Sequence, residues 1–151
     1  MKNSKKKSII DTYPTIYFVD IVVANEYTTL EELKELYTYS DGVELDDQII
    51  TGNATTATCT RKSDNKSVCL VKYNRDCRVK GIDKKLDLVN TVCHEAGHVT
   101  LDIYEAMGQQ ICNCSPEPFC YLLGYVSECI YKTLKKWTIL NWMLYFITQI
   151  S

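Results

Sequence analysis

From Ile16 to Ala24 the chain reads IYFVDIVVA, β-branched and aromatic with one charge, the composition of a buried strand. Thr28 or Thr29 then offers an N-cap for a short helix with Leu30, Leu33 and Leu36 on one face, which Asp41-Gly42 ends. Thr55–Thr60 and Ser67–Tyr73 are strand-like and are separated by the polar run Arg61-Lys62-Ser63-Asp64-Asn65-Lys66, so they predict a hairpin. A long helical pattern follows, with Asp83 as its N-cap and Gly108 as the residue just past its end. At about 100° per residue, Leu86, Val89, Cys93, Gly97, Thr100, Tyr104 and Met107 share one face of it. Asp87, His94, Glu95, His98, Asp102 and Glu105 share another. Ser115-Pro116-Glu117 has the signature of a second helix start and predicts a helix to about Lys136.

The stretch from Trp137 to Ile150 is apolar, interrupted by Asn141 and Gln149, and shorter than the ~20 residues of a standard membrane span. It predicts a helix packed on the core or on a partner. Its aromatic residues and the flanking Lys135 and Lys136 make a membrane-associated tail the alternative, although a membrane partner is not the expectation.

These elements predict an α+β domain over residues 1–136, with the basic first ten residues frayed and 137–151 a separate apolar segment. The expected architecture is a small, mostly antiparallel sheet packed on an active-site helix and the helix after it. At 151 residues, 46% hydrophobic and 24% charged, the chain can bury a core without disulfides. Its net charge of -2 argues against bulk nucleic-acid binding. The charge is uneven: Lys2, Lys5, Lys6 and Lys7 open the chain, whereas Leu86 through Tyr131 contains no Lys or Arg and six carboxylates. An acidic field without competing cations suits a divalent metal. The eight cysteines are read as free thiols in a cytoplasmic protein, because no apolar run follows the basic start and no Cys-x-x-Cys pair occurs. Cys112 and Cys114 are close enough to share a metal, but reduced thiols are the expectation there too.

The chemistry concentrates in His94-Glu95-Ala96-Gly97-His98. Residues four apart on a helix sit one above the other, so two imidazoles at this spacing can hold one zinc ion. Glu95 then reaches a water activated by the metal, takes its proton as general base, and passes it to a leaving amine. The plainer reading is the polar face of an amphipathic helix. Against it, these are the only two histidines in the chain, and their flanks, Thr91-Val92-Cys93 and Val99-Thr100, are uncharged. A catalytic zinc site needs a third protein ligand. Asp102 lies ~6 Å along the axis beyond His98 and suits a supporting role. Glu117, in the first turn of the next helix, is the better candidate, although a carboxylate there also complements the helix dipole. Glu128, about three turns on along the same face, is the reserve. Gly97 and Gly124 are candidates for close helix approach.

The run from Thr91 to Val99, followed by Glu117-Pro118-Phe119-Cys120-Tyr121-Leu122, resembles the gluzincin-type zincins, whose third ligand is a Glu on the following helix. The compact layout is similar to short zincin-like peptidases encoded by bacteriophages and, more distantly, to the phage-repressor-cleaving ImmA/IrrE proteins. The resemblance implies a zinc metallopeptidase acting on a peptide or protein substrate, with His94, His98 and Glu117 on the metal and Glu95 catalytic. It nominates Ser67–Tyr73, the strand before the catalytic helix, to hold the substrate backbone. It also nominates Tyr121 to orient a ligand or stabilise an oxyanion, with plain packing as the alternative. Two departures stand out. Larger gluzincins carry Asp four residues after the Glu ligand, where this chain has Tyr121, and the ImmA/IrrE pattern has Ala-Asn where this chain has Pro118-Phe119. The rival expectation is a non-catalytic zincin-fold module, a phage accessory or interaction protein.

Overall fold

A computed structural model describes the backbone of residues 7–74, 84–112 and 116–150, and the side chains of these except residue 84 and residues 137–150. Five strands, β1 (Ile10–Tyr13), β2 (Asp20–Ala24), β3 (Tyr37–Tyr39), β4 (Ala54–Arg61) and β5 (Ser67–Tyr73), form one sheet in the order β1-β2-β5-β4-β3. Three helices, α1 (Leu30–Leu36), α2 (Lys84–Ala106) and α3 (Glu117–Ile150), complete an α+β fold. All strand pairs are antiparallel except β2 with β5.

Alternation along the strands divides the interior in two. Ile21, Val23, Cys69 and Val71 face α2 and α3, where they meet Val92, Ala96, Val99 and Ile103 of α2 and Leu122, Val126 and Ile130 of α3. Val22, Ala24, Val68 and Leu70 point the other way and bury Leu30 and Leu33 of α1, with Ile49 of a short 3₁₀ helix (Asp47–Ile50). Every β2 side chain is therefore buried.

Local signals explain the boundaries. Thr29 caps α1 with a full capping box: its hydroxyl accepts from Glu32 N, and the Glu32 carboxylate accepts from Thr29 N. The helix stops at Leu36, earlier than expected, because Tyr37–Tyr39 is taken as an edge strand by β4. Asp41-Gly42 instead turns the chain after that strand, with Gly42 at φ +85°. Gly108 (φ +65°) ends α2 as expected: its N–H reaches Glu105 O, and Gln109 N–H reaches Tyr104 O, the paired bonds of a Schellman stop. The expected caps Asp83 and Ser115 lie outside the described residues.

Four expectations are corrected. The apolar run from Ile16 is strand only from Asp20, and Ile16 (94% exposed) and Phe18 sit in the β1–β2 loop. The buried stripe of α2 is Val92, Ala96, Val99 and Ile103, whereas Leu86, Val89 and Cys93 face outward, because α2 lies beside α3 on one face of the sheet and buries the flank that meets both. Gly97 and Gly124 serve no close approach, since a Cβ at either would meet nothing within 4 Å. Helix α3 does not end near Lys136 but continues to Ile150.

Candidate functional site

The two histidines lie on α2 one turn apart, and their rings converge. His94 Nε2 and His98 Nε2 are 3.1 Å apart, with ring centroids at 4.7 Å. Two nitrogens bound tetrahedrally to one zinc at 2.0–2.1 Å stand about 3.3 Å from each other, so this spacing fits a shared ion. Both side chains are exposed and accessible from solvent.

Glu95, next to His94 in sequence and lining the same cleft, is 4% exposed. Its Oε2 accepts a 2.7 Å hydrogen bond from Thr56 Oγ1 on β4. Oε1 has no partner among the described residues. A carboxylate buried with a single hydroxyl donor is costly unless something else satisfies it. Thr56 shares its strand face with Ala54, which packs against the core under α2.

An open cleft of about 480 Å³ adjoins this carboxylate. Gly52, Asn53 and Ala54 form one wall, and Asp87, Asn90, Thr91, His94 and Glu95 form the other. Gly52 adopts φ +66°, a conformation that glycine takes without strain. Among the described residues the cleft is lined by two carboxylates, Asp87 and Glu95, and by no lysine or arginine. Asp102, one turn past His98, is half-buried; burial holds its carboxyl above the ordinary range, and nearby His98 pulls it back down.

The other nominated residues are not brought to this cleft. Phe119 packs its ring edge-on against Tyr104 at 5.4 Å, and Tyr104 is six residues, ~9 Å along the axis, beyond His98. Glu117 precedes Phe119 and is exposed at that far end. Glu128 is exposed and ion-paired with Lys132. Tyr121 is 75% exposed and lines a separate groove with Pro14–Tyr17, Pro118 and Tyr125. Among the described residues no three His, Cys, Asp or Glu side chains are grouped to hold a metal.

The strand nominated for substrate is also corrected. β5 lies in the sheet interior, paired with β2 on one side and β4 on the other, so its backbone groups are consumed. Beside the cleft, among the described residues, open backbone belongs to β4. Arg61 N–H to Lys66 O and Asn74 N–H to Asn53 O mark the odd-numbered residues of β4 as those bonded toward β5. Ala54 and Thr56 direct their N–H and C=O outward, and β3 covers only Cys59–Arg61, with Ser40 N–H on Thr58 O. Cleft and open edge therefore adjoin.

Among the described cysteines the expectation of free thiols fails at Cys112. Cys59, Cys69, Cys93, Cys120 and Cys129 are free, but Cys112 is disulfide-bonded. Which sulfurs bond depends on the distances the fold sets between them, which no local residue pattern states.

Thr56, Asn53 and Asn90 were invisible as site residues in the sequence. Strand alternation groups Thr56 with Ala54, but it does not say which face meets α2. No protein family model, curated protein or solved structure matches the chain.

Proposed function

We propose that this chain is a zinc-dependent metallopeptidase whose general base is Glu95. The observation that carries this is the convergence of the two imidazole nitrogens beside a buried carboxylate that is anchored from a different element, the sheet. A surface helix face needs no such anchor.

His94 and His98 supply two nitrogen donors. Glu117 is the proposed third, since Glu128 is committed to Lys132; closing the site requires the first turn of α3 to approach His98. The ion, when bound, supplies Lewis acidity toward a water and a carbonyl. The chain supplies the rest. Thr56 holds Glu95 Oε2, which leaves Oε1 to take a proton from the attacking water and deliver it to the departing amine nitrogen. The outward N–H and C=O groups of Ala54 and Thr56 bind an extended peptide as an added strand, which lays its carbonyls along the cleft.

The test is hydrolysis of a peptide library by the zinc-loaded wild type and by Glu95→Gln, with zinc content measured in both. Cleavage that depends on zinc and falls ~10²–10⁴-fold in the variant supports the reading. Equal cleavage by both overturns the mechanism.

A further inference from the structure

The β1–β2 loop holds an apolar side chain out in water. Ile16 is 94% exposed, and Phe18, two residues on, is 59% exposed. The loop that carries them is fixed. Thr15 Oγ1 accepts from Tyr17 N–H at 3.0 Å and donates to Val19 O at 2.7 Å, so one hydroxyl closes the turn around Ile16. Tyr125 of α3 donates its hydroxyl to Pro14 O at 2.9 Å and ties the loop to the helix. Tyr17, by contrast, packs against the core between the sheet and the helices.

Beside this knob lies a hole. Pro118, Tyr121, Leu122 and Tyr125 of α3 line an open groove of about 400 Å³ together with the loop from Pro14 to Tyr17. None of these lining residues is charged. Tyr121 and Tyr125 are 75% and 40% exposed. An ionic ligand would lose hydration in the groove and meet no counter-charge, whereas an apolar side chain gains by leaving water there.

An apolar side chain held away from its own core adds nothing to the stability of a single chain. Exposed patches of this kind mark contact surfaces. Knob and hole share one surface here. A second copy related by a two-fold axis therefore places its Ile16 in this groove while this chain's Ile16 enters the other. The area is sufficient. At roughly 200 Å² per large side chain, covering Ile16, Phe18, Tyr121 and Tyr125 on both copies removes about 1,000 Å² from water, the lower bound for a specific interface. The fixed loop also lowers the ordering cost, since the Thr15 hydrogen bonds already set the position of Ile16.

We propose that this chain forms a two-fold symmetric dimer in which Ile16 of each copy fills the groove between the β1–β2 loop and α3 of the other. An interface near the lower bound of area is reversible, so monomer and dimer exchange with protein concentration. This proposal is independent of the zinc site.

Sedimentation equilibrium of the full-length wild type between about 1 and 200 μM reads the association. The expected result is a mass that rises with concentration from 17.4 kDa toward twice that value. Ile16→Asp and Tyr121→Lys each put a charge at an exposed position, so far-UV circular dichroism should not change. Each should weaken dimerisation roughly 100-fold, one power of ten for each of the two equivalent contacts. An equimolar mixture of the two variants should recover association, because one contact of the mixed pair is native and the other sets the introduced carboxylate against the introduced ammonium. A single-chain mass across the whole range overturns the proposal. A dimer that neither variant weakens also overturns it and assigns the association to another surface. A mixture that stays monomeric shows that the two contacts are not reciprocal, which overturns the two-fold pairing.

Discussion

Thr56 on β4 donates its hydroxyl to Glu95 Oε2 on α2 at 2.7 Å, a link between sheet and helix across 39 residues of sequence. Thr56→Val keeps the shape and removes the donor, leaving a buried carboxylate without it. Unfolding in urea should show a loss of ~1–3 kcal/mol, and Thr56→Ser should recover most of it. If Thr56→Val is as stable as the wild type, the hydrogen bond does not hold the carboxylate.

Zinc should bind near one equivalent per chain through His94 and His98. Elemental analysis after purification without chelators reads this directly, and His94→Ala with His98→Ala should abolish it. Metal content unchanged in the double variant would sink the site. Glu117→Gln should weaken retention far more than Glu128→Gln; the reverse order would assign the third donor to Glu128.

Lys72 is buried, with its ammonium donating to Asn25 O and Tyr73 O. Burial pulls its pKa down from 10.5 to about 8, against the pull of Glu26 and Glu32. Between about 8 and 10.5 the unfolded chain therefore holds a proton that the folded chain has released, so this group's contribution to stability rises with pH across that window. The stability of wild type minus that of Lys72→Met should climb from pH 8 to pH 10.5. A flat difference would mean that the ammonium keeps its ordinary affinity for protons.

Cys112 should resist thiol reagents in denaturant until reductant is added, while Cys59, Cys69, Cys93, Cys120 and Cys129 react without it. Peptide mapping of the labelled chain separates these outcomes, and labelling of Cys112 without reductant contradicts the disulfide.

What the sequence made legible was local. The Thr29 capping box, the Gly108 stop, the β4–β5 hairpin and the one-turn spacing of His94 and His98 all depend on residues a few positions apart, and the α+β class follows from them. What it hid was set at long range. β1 reads IDTY before a proline, too short and polar to announce a strand, and it exists because β2 pairs with it and α3 grips it. Lys72 looks like a surface lysine, yet strand alternation carries it to the α1 side of the sheet. The parallel pairing of β2 with β5 placed the nominated substrate strand in the interior, a matter of strand order that no residue pattern states. The catalytic candidates were found because helical spacing alone aligns them, whereas Thr56, their support, needed the tertiary fold.

The grip of α3 on β1 also bears on how the chain is made. Tyr13 bonds Thr133 across 120 residues, and Asp11 bonds Lys136 across 125. Contacts of such separation form late, because the intervening loop must close first. At ~5–20 residues per second, a ribosome needs roughly 6–24 s between emitting one end of the clasp and the other. During that interval β1 has its partner β2 but lacks its cover. The nascent domain therefore matures in a fixed order, hairpin first and outer strand last, and the same late helix that locks β1 delivers the apolar segment that follows it.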